Sequence, residues 1–129
     1  MTLLLDTCVL LWFFVGSDRI SEKLKMTLTN PHHDLLMSDV SVLELVIKHS
    51  LGKISLPQPP SKLLPLLAAK HRIDTLSLKS EDIYYLEQLP SIHPDPFDRL
   101  LIAQATTGGF RLVTPDPLIH RYDAPILWQ

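Results

Sequence analysis

The chain has 129 residues, 46% of them hydrophobic and 20% charged, the balance of one ordinary globular domain spanning residues 1–129. Its single cysteine, Cys8, excludes a disulfide framework and a cysteine-based zinc cage. With 12 Lys and Arg against 14 Asp and Glu, the net charge is −2, which argues against gripping nucleic acid by bulk charge.

In chain order, Leu3-Leu4-Leu5 is an unbroken apolar run that suits a strand buried on both faces. Thr7 to Phe14 reads as a helix, and a second starts at the N-cap Ser21 and runs to about Asn30, before Pro31. Asp34 to Ser38 is the next strand. Val40 to Leu51 is helical, with Lys48 and His49 in its last turn and Gly52 just beyond. Leu56 to Pro60 is a loop. Ser61 to Arg72 is a helix in which Pro65 is tolerable only near the first turn. Ile73 to Leu78 alternates like a half-buried strand. Ser80 caps a helix through Gln88, stopped by Pro90. Asp95 to Thr107 is helical and ends at Gly108-Gly109. Phe110 to Thr114 is a buried strand, Asp116 or Pro117 opens a short helix, and Pro125 to Trp128 is a last strand. Strands alternating with helices predict an α/β fold of three layers, α/β/α, around a mostly parallel sheet. Ligands of such sheets bind beyond the carboxyl ends of the strands.

Four carboxylates are predicted at that edge. Asp6 follows the first strand and Asp116 follows the strand ending at Thr114. Glu44 and Asp98 lie near the starts of helices that leave the same edge. Each also has a plain structural reading. Asp6, Asp95 and Asp116 suit helix caps, Asp98 suits the first turn after Asp95-Pro96, and Ser41-Val42-Leu43-Glu44 matches a capping box. No basic residue is placed to neutralise all four, and Arg99 is the one obvious candidate. Carboxylates sharing a site repel one another, and a divalent cation resolves that conflict. Hard oxygen ligands suit Mg²⁺ or Mn²⁺, with the chemistry of metal-dependent nucleases.

Leu5-Asp6-Thr7, Glu44 within Ser41 to Leu45, Asp95-Pro96-Phe97-Asp98-Arg99-Leu100-Leu101-Ile102-Ala103-Gln104-Ala105 and Leu112-Val113-Thr114-Pro115-Asp116 together resemble the PIN domain, and more narrowly the VapC-type toxins of bacterial toxin–antitoxin pairs. The resemblance covers nearly the whole chain. It implies a Mg²⁺- or Mn²⁺-dependent endoribonuclease, inhibited by a cognate antitoxin, acting on RNA, and commonly a homodimer or a toxin–antitoxin hetero-oligomer. By position, the family's acids fall on Asp6, Glu44, Asp98 and Asp116, with Asp6, Asp98 and Asp116 as metal ligands and Glu44 orienting water or completing the set. Thr114 falls where the family often carries a hydroxyl near the metal. Asp95 is an additional acid within reach, and Arg99 or Lys48 could steady a phosphate.

The remaining candidates read more plainly. His49, His93 and His120 suit surface or capping roles, since metal-assisted hydrolysis does not need a histidine. Cys8 reads as a small buried residue rather than a nucleophile. Trp12-Phe13-Phe14 reads as core packing, or else as an exposed groove that receives a partner. A haloacid-dehalogenase-type phosphatase would need a second acid where Cys8 stands, and a phospho-receiver would need an acidic pair at the first strand. A vestigial, non-catalytic module is disfavoured by the presence of all four acids. Met1 to Leu5 meets Asp6 with no basic stretch, so no secretory signal is expected. The longest apolar run, Val9 to Val15, is far short of the roughly 20 residues of a membrane span. A cytoplasmic protein with no membrane attachment is expected. Setting the four acids aside leaves 12 basic residues against 10 acidic ones. RNA binding is therefore expected to be local to the cleft.

Overall fold

Five short strands form one sheet, in a computed structural model that describes residues 1–129. They are β1 (Thr2–Leu5), β2 (Asp34–Ser38), β3 (Ile73–Leu76), β4 (Arg111–Val113) and β5 (Ile126–Leu127). Their order is β3-β2-β1-β4-β5 and every pairing is parallel. The helices are α1 (Thr7–Val15), α2 (Glu22–Thr29), α3 (Asp39–Ser50), α4 (Pro60–Lys70), α5 (Ser80–Tyr84) and α6 (Pro96–Gly108). This is the three-layer α/β/α arrangement that the alternation predicts.

The unbroken leucine run of β1 follows from its central position. Leu3 and Leu5 face a core of 16 buried residues shared with α1, α2 and α4, including Val9, Leu10, Leu24 and Leu64. Leu4 faces the opposite way, into a smaller core with Leu101, Ile102 and Ala105 of α6 and with Ile119 and Tyr122. A side-chain period of two sends neighbours to opposite faces, so only a strand covered on both sides keeps three leucines in a row. Truncating Leu4 to alanine would cost about 2–5 kcal/mol.

Several boundaries differ from the sequence reading. Lys79, not Ser80, is the N-cap of α5. The helix expected through Gln88 tightens into a 3-10 turn over Tyr85–Gln88. No α-helix follows Asp116: its Oδ1 accepts the Leu118 N–H at 2.8 Å, and a single 3-10 turn covers Ile119–Arg121. Pro65 lies in the second turn of α4, not the first. Its ring faces solvent, so the bond it cannot donate would have gone to an exposed residue, Ser61. The strand expected over Ile73–Leu78 stops at Leu76 and forms one edge of the sheet.

What positions the site is the point where the strand order reverses. From β1 the chain runs outward through β2 and β3, then returns to the other side of β1 as β4 and β5. The carboxyl ends of β1 and β4 are hydrogen-bonded neighbours, extended by the Asp6 N–H donating to the Val113 carbonyl at 3.1 Å. A crevice opens at such a switch point.

Candidate active site

A cleft of about 510 Å³ lies at that crevice. Asp6, Cys8, Glu44, Lys48, Asp95, Asp98 and Asp116 all line it. The four acids singled out in the sequence therefore converge on one space from β1, α3, α6 and the segment after β4.

Asp6 is the N-cap of α1: its Oδ1 accepts the Thr7 N–H at 2.7 Å. Its Oδ2 accepts the Thr114 hydroxyl at 2.7 Å and the Cys8 thiol at 3.7 Å. Capping and a place in the cleft are compatible here, because the two oxygens divide the work. Thr114 is fully buried, and its Oγ1 also accepts the Asp116 N–H at 3.1 Å. One hydroxyl thus ties the acid after β1 to the acid after β4.

Glu44 does not close a capping box. Ser38 caps α3 by accepting the Val40 N–H, which puts Glu44 in the second turn. Ser41 instead accepts the Thr7 hydroxyl at 2.8 Å. Glu44 is buried, its Oε2 pairs with Lys48 at 2.5 Å, and its Oε1 is buried with no hydrogen-bond partner. An orphaned carboxylate oxygen in a buried position is costly, and a cation in the cleft would satisfy it.

Asp95 is the N-cap of α6, accepting the Phe97 N–H at 2.8 Å, with Pro96 in the first turn. Asp98, one turn further, has its Oδ2 3.1 Å from His93 Nε2. The same nitrogen lies 2.9 Å from Asp116 Oδ2. The surface or capping role read for His93 is therefore corrected: His93 is buried and bridges two of the four acids. The spacing His93-Pro94-Asp95-Pro96-Phe97-Asp98 was the available signal. What brings His93 to the acids is the fold of its loop under the Tyr122 hydroxyl, which accepts the His93 N–H at 2.8 Å.

The electrostatics are those of a crowded acid site. Burial, then the charges of Asp6 and Asp95, push the Asp98 carboxyl up to about 7. Burial also raises Asp6, against the hydrogen bonds from Thr114 and Thr7. Burial pushes Asp116 up too, but hydrogen bonds from His93 and the Leu118 amide outweigh it and leave the group below its ordinary value. Cys8 is pushed up to about 12 by burial and by Asp6, so it stays a thiol and is no nucleophile.

The basic candidates sit elsewhere or are engaged. Arg99 turns away from the acids, donating to the carbonyls of Pro90 and Leu86 at 3.2 and 3.3 Å. Lys48 stands at the cleft, held by Glu44. His120 Nε2 lies 2.7 Å from the Thr114 carbonyl. Phe13 is buried in the core, whereas Trp12 is half-buried between Trp128 and the Arg19 guanidinium, which lies 5.3 Å over its ring. Trp12, Phe13 and Phe14 line a separate groove of about 470 Å³.

The donor set fits a hard divalent cation. Its four carboxylates offer oxygen ligands, one buried oxygen has no hydrogen-bond partner, and burial with the neighbouring acids holds the Asp98 proton to about pH 7. His93, Asp98 and Asp116 also present one atom each within 4.8 Å of one another.

The sequence profile of the PIN domain matches residues 3–125. Ribonuclease VapC22 of Mycobacterium tuberculosis is 30% identical over 128 residues, covering 97% of this chain and 96% of that protein. Among solved structures, a chain of VapBC2 from Rickettsia felis, bound to a DNA fragment from its promoter, superposes with a TM-score of 0.75. That match has 16% identity and covers 98% of each chain. A toxin–antitoxin complex from Klebsiella pneumoniae gives a TM-score of 0.64 at 13% identity, covering 97% of this chain and 95% of that one.

Proposed function

The chain belongs to the PIN domain family, and on that premise we propose that it is a divalent-metal-dependent endoribonuclease, the toxin of a toxin–antitoxin pair. It hydrolyses RNA phosphodiester bonds at the four-carboxylate cleft. The observation that carries this reading is geometric: Asp6, Glu44, Asp98 and Asp116 line one cleft, and the buried Oε1 of Glu44 has no hydrogen-bond partner although Oε2 is paired with Lys48. A cation in the cleft would give that oxygen a partner.

Asp6, Asp98 and Asp116 would hold the ion, and Glu44 would complete the set or orient a water. The ion is Mg²⁺ or Mn²⁺. When bound, it supplies Lewis-acid polarisation of the scissile phosphate and of the attacking water. The chain's own residues do the placing. Thr114 fixes Asp6 and Asp116 relative to each other through one hydroxyl. Lys48, anchored on Glu44 with its side chain 42% exposed, is placed to meet a phosphate at the cleft. Arg99 and Asp95 act on the backbone around α6, on the loop carbonyls and as its N-cap.

Residues 1–129 act as one domain. No helix is long and apolar enough to cross a membrane. From its likeness to a ribonuclease we place the protein in the cytoplasm with its RNA substrate. We assign the groove at Trp12 and Phe14 to the cognate antitoxin.

The test is RNA cleavage with Mg²⁺, Mn²⁺ or EDTA, comparing the parent with Asp6→Asn. Metal-dependent cleavage that the substitution abolishes supports the reading. Cleavage that survives EDTA overturns the metal assignment, and no cleavage with either ion by pure, antitoxin-free protein overturns the enzyme.

A further inference from the structure

His93 touches the cleft from behind. It is 8% exposed and lies outside the cleft lining, whereas Asp98 and Asp116 both belong to that lining. Every polar atom of its ring is engaged. Nδ1 accepts the Asp95 backbone N–H at 3.1 Å. Nε2 lies between Asp116 Oδ2 at 2.9 Å and Asp98 Oδ2 at 3.1 Å.

The Nδ1 contact decides the tautomer. A backbone amide can only donate, so Nδ1 offers its lone pair and carries no proton. The ring proton is then on Nε2, where two carboxylate oxygens are waiting to accept it. A protonated Nε2 has no lone pair for a metal ion. Of the three groups that cluster within 4.8 Å, two are therefore ligands by chemistry and the third is a donor to them.

We propose that His93 is the positioning residue of this site, orienting the carboxylates of Asp98 and Asp116 toward a divalent cation through one shared Nε2–H, without binding the cation itself. The inference rests on the metal-centre reading given above. Asp98 is on α6 and Asp116 follows β4, so no single element carries both carboxylates. The shared proton holds both in place. The Leu118 N–H fixes the other oxygen of Asp116, so that carboxylate is pinned at both ends. His93 is itself anchored. Its N–H and that of Ile92 donate to the buried Tyr122 hydroxyl at 2.8 and 3.2 Å. Outer partners that orient ligands typically change metal affinity by about 10–100-fold.

The experiment measures Mn²⁺ binding to the full chain without RNA, by titration calorimetry and by electron-spin-echo spectroscopy of the bound ion. The parent is compared with His93→Phe, which keeps the ring volume and loses the donor, His93→Gln, which keeps an N–H donor, and Tyr122→Phe. Melting curves establish which variants fold. The expected result is a loss of Mn²⁺ affinity of about 10–100-fold in His93→Phe, a smaller loss in His93→Gln and Tyr122→Phe, and no directly coordinated nitrogen in the parent spectrum. A nitrogen coupling in the parent that vanishes in His93→Gln overturns the proposal, because His93 is then a ligand. Equal Mn²⁺ affinity in the parent and the folded His93 variants overturns it as well, and leaves the metal centre standing. A parent that binds no Mn²⁺ overturns both. Should His93→Phe not fold, the affinity of His93→Gln and the parent spectrum decide.

Discussion

The two ends of α6 each carry a buried or half-buried aspartate contact, and they differ in how fully the protein satisfies it. At the carboxyl end, Thr107 donates its hydroxyl to Asp82 Oδ1 at 2.7 Å, while Asp82 Oδ2 accepts the Lys79 N–H at 3.0 Å. Asp82 is 6% exposed and has a partner on each oxygen, so its work is to cap α5 and tie it to α6. At the amino end, Asp98 shares one histidine proton with Asp116 and faces the like charges of Asp6, Asp95 and Glu44. Burial of an acid is thus not by itself a sign of chemistry. Burial without enough donors is the sign, because the deficit is what a cation fills.

Four measurements test that contrast. The largest effect is expected at the amino end: Asp98→Asn should cut RNA cleavage on the order of 10³-fold, several kcal/mol of barrier. Above about pH 7, where Asp98 is ionised, the metal-free melting temperature should hold or rise, because a crowded charge is removed. A variant that cleaves like the parent would detach Asp98 from the site. Next, Mn²⁺ at about 100 times its dissociation constant should stabilise the parent by about 2.7 kcal/mol in calorimetric melting, and a chelator should reverse it. Asp98→Asn should lose most of that gain, whereas Asp82→Ala should keep it.

At the carboxyl end, Asp82→Ala should cost about 1–2 kcal/mol in denaturant unfolding, since it strands an N–H and a hydroxyl. Cleavage per folded molecule should not change. A loss of turnover without a loss of stability would erase the distinction between the two ends. The smallest effect is the pH dependence of the metal-free protein. The folded chain keeps the Asp98 proton to about pH 7, while the unfolded chain releases it near the ordinary value of 3.8. The folded state therefore binds more protons between those values, and stability should fall as pH rises from about 4 to 7. Melting curves across that range should show the decline in the parent and a flatter profile in Asp98→Asn. Metal binding in the same range should release a proton, visible as calorimetric heats that depend on the buffer.

Much of the fold was legible because its signals are local. Three leucines in a row require cover on both faces, Ser21 has the chemistry of an N-cap, and Asp95-Pro96 opens a helix. The acids were legible because each follows a strand or opens a helix, and parallel topology sends all such points to one edge. The capping readings separated only in three dimensions. Asp6, Asp95 and Asp116 do cap or turn the backbone, whereas Glu44 does not, because Ser38 takes the cap and Ser41 turns to Thr7. Arg99 was a candidate by adjacency to Asp98, yet successive helical residues point in different directions, and its guanidinium reaches the loop carbonyls instead.

Local pattern in the sequence carried the layered α/β architecture and the edge where four carboxylates gather. Those properties depend on residue type and on spacing within single elements. Long-range packing set the rest: Glu44 keeps an orphaned oxygen, Thr114 joins Asp6 to Asp116, and His93 lies between Asp98 and Asp116 under Tyr122. Each of these is a hydrogen bond, or the lack of one, set by segments distant in sequence. Its strength turns on tenths of an ångström and on exclusion of water, neither of which local pattern encodes.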